Sequence, residues 1–218
     1  MRWFYYVAVV VARMLLFLLT RWQVKGKENV PRQGPLLVVS NHLHAGDPAV
    51  IGVSLGRKVI FMAKEEIFRF RPRGYFLSGL GSFPVHRGKL DRKAIRQSEK
   101  VLADGMALAM FPEATRSQNA QLQFALSGSA LIAARSGVPI LPVGITGTER
   151  LRGIGWVLRR PRLTVNIGKP FSLPPVNSKL TKAELAEHTH FIMERIAELL
   201  PPQYRGEYAG KEARRHED

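Results

Sequence analysis

The sequence predicts an α/β fold, a largely parallel sheet flanked by helices, with an N-terminal interfacial hydrophobic helix in front of it. Three observations lead there. Apolar runs of strand length recur at residues 36–39, 59–63, 107–111 and 140–145, and such unbroken runs are what a sheet buried on both faces requires. Stretches of helical pattern separate them, and strands alternating with helices build parallel βαβ units. The third observation is residues 3–19, seventeen long and apolar except for Arg13. With 218 residues, 45% of them hydrophobic, the chain can bury one sizeable core. It divides into a membrane-associating helix (1–22), one α/β domain (23–208) and a polar tail (209–218).

Wound at about 100° per residue, the first helix carries Arg2, Tyr6, Arg13 and Thr20 on one narrow polar stripe. Trp3, Tyr5 and Tyr6 at one end and Trp22 at the other sit where interfacial aromatics gather. A central Arg costs about 2.5–3.5 kcal/mol in a bilayer, and the length is near the lower limit for a span. A helix lying in one leaflet or packed on the domain is therefore favoured over a spanning one, the alternative being a buried core helix. No small-residue cleavage pattern follows, so the helix is read as retained.

Residues 23–34 read as a polar connector, and 36–39 as the first buried strand. Pro48 opens the next helix (48–55), where its missing N–H costs nothing, and Gly56 ends it. After the run at 59–63, residues 64–96 are strongly basic and interleaved with Phe68, Phe70, Tyr75, Phe76 and Phe83. A strand is expected at 82–86 and a helix at 91–103. The strand at 107–111 leads to a helix at 129–136, a strand at 140–145, a basic loop at 150–162 and a strand at 163–167. Thr181 and Glu184 have the spacing of a capping box. Leu185, Thr189, Ile192, Ile196 and Leu199 then form one helical face, and the chain after Pro201 reads as polar surface.

Charge narrows the partners. Lys and Arg number 33 against 17 Asp and Glu, a net charge of +16, which suits a polyanion. No helix-turn-helix, zinc-finger or aromatic RNA-binding pattern accompanies it, so nucleic acid is not the expected partner. Beside a hydrophobic helix, each basic group near an anionic leaflet adds about 1 kcal/mol of attraction. The expected location is the cytoplasmic face of the cell membrane. The absence of cysteine excludes disulfides, thiolate metal sites and a Cys nucleophile.

The candidate chemistry sits after the first buried strand. His42 precedes Asp47 by five residues, on a turn at the strand's carboxyl end, where open α/β sheets bind ligands. A carboxylate bonded to one ring nitrogen fixes the tautomer and leaves the other nitrogen as a base. Two plainer readings stand beside it: Asp47 as a helix N-cap and His42 as a structural residue. A third takes His42, His44 and Asp47 as metal ligands, an arrangement similar to the His-x-His-x-Asp-His loop of metallo-β-lactamase-like hydrolases. Here Gly46 and Asp47 replace that loop's Asp-His pair, and three of the four remaining His lie near the C-terminus. Gly52-Val53-Ser54-Leu55-Gly56 matches the Gly-x-Ser-x-Gly nucleophile pattern but places Ser54 late in a helix, so it is read as a chance match.

Four blocks, in order, resemble the glycerolipid acyltransferase family of lysophosphatidic acid acyltransferases. They are Asn41-His42 through Asp47, Gly81 to Arg87 (Gly-Ser-Phe-Pro-Val-His-Arg), Phe111-Pro112-Glu113-Ala114-Thr115-Arg116-Ser117, and Val138 to Val143 (Val-Pro-Ile-Leu-Pro-Val). The resemblance runs from about Val24 to Tyr208, and makes 23–208 a glycerolipid acyltransferase domain. It departs at Ala114, where the family has Gly, so that a positive φ there would be strained, and at Leu126, near which many relatives carry Lys. The implied activity is acyl transfer from an acyl thioester, acyl-CoA or acyl carrier protein, to the free hydroxyl of a lysophospholipid, giving phosphatidic acid. His42 is the implied general base, Asp47 its partner, Arg87 and Arg116 the phosphate ligands, and Glu113, Ala114 and Thr115 the substrate or oxyanion loop. Neither a metal nor a cofactor is expected. The alternatives are a thioesterase or phospholipid hydrolase, and a non-catalytic membrane-binding protein.

Overall fold

The computed structural model describes residues 2–86, 91–174 and 180–209. In chain order its elements are α1 (Arg2–Leu19), β1 (Arg21–Lys25), β2 (Leu36–Ser40), α2 (Asp47–Leu55), β3 (Val59–Lys64), α3 (Glu65–Arg69), α4 (Arg71–Gly79), β4 (Phe83–Val85), α5 (Arg92–Ala103), β5 (Ala107–Met110), α6 (Gly128–Ser136), β6 (Ile140–Thr146), α7 (Trp156–Arg159), β7 (Arg162–Ile167) and α8 (Lys182–Ala197). The seven strands form one sheet in the order β1-β7-β6-β2-β5-β3-β4. Only the β6–β7 pair is antiparallel, as a largely parallel sheet requires.

Every residue of β2 is buried, because both faces of the sheet are covered. Leu37 and Val39 belong to one core, with Ile95, Ile132 and Ile192 of α5, α6 and α8. Leu36 and Val38 face the other, against Val50 and Ile51 of α2, with Leu16 of α1 packed at its edge. Alternation along one strand thus feeds two hydrophobic layers. The capping box at Thr181 is formed in full, and starts α8 where the spacing predicts.

Three expectations are corrected. The connector at 23–34 begins as strand β1, which pairs in register with β7. Its exposure alternates along the strand; Trp22 and Val24 face inward among Arg21, Gln23 and Lys25, an alternation too short and too polar to stand out. Trp22, expected among the interfacial aromatics, is instead half-buried in β1, where its Nε1 donates to Ser54 Oγ at 3.3 Å. The chain after Pro201 is not all polar surface. Tyr204 is buried, its Oη donates to Glu149 Oε1 at 2.8 Å, and its carbonyl accepts the Leu122 N–H. Residues 210–218 of the tail lie outside the described residues.

Helix α1 is not a core helix. Tyr5 is its one buried hydrophobic side chain; the Tyr5 Oη accepts the Val59 N–H at 3.1 Å. Trp3, Val10, Met14 and Phe17 are largely exposed. Among the described residues no helix is long and apolar enough to cross a membrane. Because β7 runs antiparallel to β6, and β1 parallel to β7, β1 starts at the sheet edge where β2 and β6 end. The C-terminus of α1 is therefore at that edge.

Candidate active site

Where β2 ends, Asn41 fastens the turn to β6: its side chain donates to the Ile145 carbonyl at 2.8 Å and accepts the Ile145 N–H at 2.7 Å. The turn then curls over Asp47. Asp47 Oδ2 accepts the backbone N–H groups of Leu43 at 2.7 Å and His44 at 2.8 Å, and lies 2.8 Å from His42 Nδ1. An oxygen already accepting two N–H groups makes Nδ1 the donor. His42 therefore keeps the lone pair on Nε2, which bonds to nothing among the described residues. Asp47 is fully buried and His42 nearly so, with the Phe111 ring stacked on the imidazole at 4.0 Å between centroids.

This geometry decides between the readings of Asp47. The helix N-cap position falls on Gly46, with no side-chain cap, so Asp47 organises the turn rather than the helix end. Nor do His42, His44 and Asp47 converge on a common point. His44 Nδ1 accepts the Gly46 N–H at 3.1 Å, and among the described residues no group of three or more His, Asp or Glu is placed to hold an ion. Ser54 Oγ donates to the Val50 carbonyl inside α2 and is no nucleophile.

The third block grips the peptide groups of His42 from both sides. Glu113 Oε1 accepts the His42 N–H at 2.9 Å, and the Ser117 N–H donates to the His42 carbonyl at 2.8 Å. Glu113 Oε2 takes the Gln123 N–H at 3.0 Å. Burial pushes the Glu113 carboxyl up to about 7, against these two hydrogen bonds and with the Asp47 charge adding to the rise. Glu113 is thus a buried support rather than a surface of the site. Ala114 has φ 57, the left-handed conformation foreseen as strained for any residue but Gly. Its N–H is committed to the Phe111 carbonyl, whereas the Thr115 N–H has no acceptor among the described residues.

Thr115 and Arg116 are exposed. Arg116 forms no pair with Glu113, whose oxygens accept the His42 and Gln123 N–H groups, and meets no carboxylate among the described residues. Arg116 is close enough to help lower the pKa of His44, whose depression comes first from burial; Arg152 acts in the same direction. Sequence reading placed Arg152 in a basic loop but did not bring it to the site. Only the crossover of that loop beside Asn41 does so. Arg87 lies outside the described residues.

Its neighbour His86 is tied between two carboxylates: Nδ1 lies 3.0 Å from Asp91 Oδ2, and Nε2 meets Glu65. The His86 N–H, the first of several amides on Asp91, holds that carboxyl down at about 2. Asp91 also caps α5, so α3 and α5 are joined through one imidazole. Beneath them lies a cavity of about 340 Å³ lined by Met62, Ile95, Met110, Phe111, Ala114 and Ile132, among others. Leu126 lines it too. Phe111 separates this apolar space from the His42 ring.

The comparisons bear on this arrangement. The family model described as Acyltransferase matches residues 21–146, a span holding His42, Asp47, Glu113 and Arg116. This chain belongs to the acyltransferase family. A 1-acyl-sn-glycerol-3-phosphate acyltransferase of Streptococcus pneumoniae is 31% identical over 170 residues, covering 74% of this chain and 62% of that one. A Bacillus subtilis protein of the same description is 27% identical, over 81% of this chain and 87% of that one. The crystal structure of the 1-acyl-sn-glycerophosphate acyltransferase of Thermotoga maritima superposes with a TM-score of 0.71 at 24% identity, over 89% of this chain and 78% of that one. The likeness in structure extends the shared fold beyond the family match. The chain spans 62% of the Streptococcus relative and about half, 49% and 48%, of the chloroplast relatives from Brassica napus and Arabidopsis thaliana.

Proposed function

We propose that this chain moves a fatty acyl group from an acyl thioester, acyl-CoA or acyl carrier protein, to the free hydroxyl of lysophosphatidic acid, giving phosphatidic acid. One observation carries the reading: His42 Nδ1 bonded at 2.8 Å to a buried Asp47, with Nε2 unengaged among the described residues.

Nε2 takes the acceptor's hydroxyl proton as that oxygen attacks the thioester carbonyl. The new C–O bond forms, the carbonyl electrons move onto oxygen, and Asp47 stabilises the imidazolium. The Thr115 amide is the donor we assign to the oxyanion, since the Ala114 amide is already spent. Collapse breaks the C–S bond, and the imidazolium returns its proton to the departing sulfur. A base held in this way contributes about 10²–10⁴ in rate. The apolar cavity behind Phe111 suits an acyl chain, whose burial there aligns the reacting carbon near His42. The guanidinium of Arg116, with Arg87 from the second block, suits the phosphate. The exposed apolar face of α1 lies on the anionic cytoplasmic leaflet, from which the lysolipid acceptor comes.

The test is product analysis with a labelled acyl thioester, with and without lysophosphatidic acid. Acceptor-dependent phosphatidic acid with stoichiometric thiol release, lost in His42→Ala, is the expected result. Thiol release with free fatty acid instead assigns water as the acceptor and a thioesterase activity.

A further inference from the structure

Ile154 and Leu158 are the most exposed large apolar side chains among the described residues, at 89% and 91%. They stand in the segment between β6 and β7, on either side of the start of α7. The Val157 N–H donates to the Ile154 carbonyl, so a single turn joins the two residues, four apart in the chain. Single exposed apolar residues need no explanation, but two of this size together on a short projecting turn do.

What surrounds them names the partner. Between residues 150 and 162 the chain carries Arg150, Arg152, Arg159, Arg160 and Arg162 and no acid. The segment is fixed to the end of α1: Arg160 Nη2 donates to the Phe17 carbonyl at 3.1 Å, and the Arg21 N–H to the Pro161 carbonyl at 2.9 Å. Phe17 itself is exposed. The segment that carries Ile154 and Leu158 is thus joined at its far end to the C-terminal turn of α1. Both lie at the sheet edge where β2 and β6 end, the edge that bears His42.

We propose that residues 151–160 form a second lipid-contacting wedge, in which Ile154 and Leu158 enter an anionic leaflet beside α1 while the flanking arginines meet lipid phosphates. This rests on the membrane reading of α1 given above and extends it. Membrane contact through α1 alone leaves the domain free to roll about the helix axis; a second contact beside its C-terminus fixes that roll, so that the site edge faces the leaflet. A lysolipid then passes from the membrane to the Arg116 side of His42 without crossing bulk water. The arginines act as an electrostatic attraction at the surface, and the two apolar side chains supply the buried area.

The lack of cysteine makes a position-specific test direct. Single-cysteine variants Ile154→Cys, Leu158→Cys, Phe17→Cys and Asp104→Cys are labelled with an environment-sensitive fluorophore and mixed with vesicles of phosphatidylglycerol and phosphatidylcholine. Asp104, between α5 and β5, lies at the opposite sheet edge. The expected result is a blue shift and a several-fold intensity rise at 17, 154 and 158, quenched by nitroxide-labelled lipid, with no change at 104. In the unlabelled chain, Ile154→Ser with Leu158→Ser lowers partitioning to these vesicles roughly tenfold or more, since both side chains are exposed and the fold does not need them. A response at 17 without one at 154 and 158 overturns the wedge and leaves the membrane reading standing. Silence at all three positions overturns both. An equal response on pure phosphatidylcholine, or a concentration-dependent response without vesicles, also overturns the proposal, the latter by assigning the surface to a second copy of the chain.

Discussion

Glu113 holds His42 by its backbone: the carboxylate of the third sequence block accepts the N–H of the first at 2.9 Å. The two residues are 71 positions apart, and their contact explains why a buried acid sits in a loop otherwise open to solvent. Its second oxygen anchors Gln123, so the carboxylate braces its own loop between β5 and α6 and ties it to the β2–α2 turn.

A pH dependence of stability follows. The Glu113 carboxyl is pushed up to about 7 by burial, from an ordinary value of 4.5. Between those two values the unfolded chain releases a proton that the folded chain retains, so stability falls as pH rises through the window. Denaturant unfolding of wild type and Glu113→Gln across that range isolates the effect. The stability difference in favour of wild type shrinks from pH 4.5 toward 7; a difference independent of pH contradicts the raised carboxyl. The amide variant also turns an NH₂ toward one of the two backbone donors, and a buried donor left unpaired costs about 1–3 kcal/mol.

His42→Ala removes the base and reduces acyl transfer by about 10²–10⁴. It also removes the stack on Phe111, because the imidazole is buried, so the melting temperature falls as well. Asp47→Asn separates the two effects. It leaves the ring in place but removes the negative charge that stabilises the imidazolium, and activity falls with a smaller change in melting. His44→Ala gives up only the Gly46 contact and keeps a substantial share of activity. Loss of activity on chelation, or a larger effect at His44 than at His42, would return the metal reading.

Ala114 stores strain that can be released. A non-glycine residue at φ 57 costs about 1–2 kcal/mol, while introducing Gly adds about 0.4–1 kcal/mol of unfolded-state freedom. Ala114→Gly therefore changes stability by about 0 to 1.5 kcal/mol in the favourable direction, a rise in melting temperature of at most a few degrees. Calorimetry checks it, and a clear fall in melting temperature contradicts the strain.

Much of this was legible in the sequence because burial writes itself in unbroken apolar runs. β2, β5 and β6 were readable on that ground, and Thr181 with Glu184 announced the start of α8. The site was readable where its spacing is local: five residues suffice for Asp47 to close on His42. Contacts made across the fold left no such mark. The grip of Glu113 on His42, the clamp of Asn41 on Ile145 and the approach of Arg152 to His44 depend on which strands are neighbours. β1 escaped notice because only Trp22 and Val24 of its five residues face inward. Tyr204 escaped because a lone aromatic in a polar segment looks like surface until Glu149 is brought to it. α3 and α4 were hidden in a basic run, because α3 is tied by the Glu65–His86 contact and α4 meets α1 through Phe76 and Phe4 rather than through a deep apolar face.

The head group is the remaining test of the site. A phosphomonoester needs donors that stay charged, and a guanidinium meets two of its oxygens at once. Arg116 is exposed on the loop that grips His42 and has no carboxylate partner among the described residues, so its charge is free for a ligand. Arg116→Ala should raise the KM for lysophosphatidic acid far more than that for the acyl thioester, with some loss of kcat if the grip also aligns the hydroxyl. Arg116→Lys should restore only part, since one of the two parallel hydrogen bonds is missing. Arg87→Ala should behave in the same way if the second block reaches the same phosphate. Monoacylglycerol serves as the phosphate-free control. The ratio of phosphorylated to phosphate-free acceptor use, measured for wild type and each Ala variant, should collapse at Arg116. An unchanged ratio at both positions would move the phosphate to the basic segment between Lys64 and Arg96. Lys64 would be the first residue to replace there, because it ends β3 and its one ion pair among the described residues, with Glu66, is solvent-exposed.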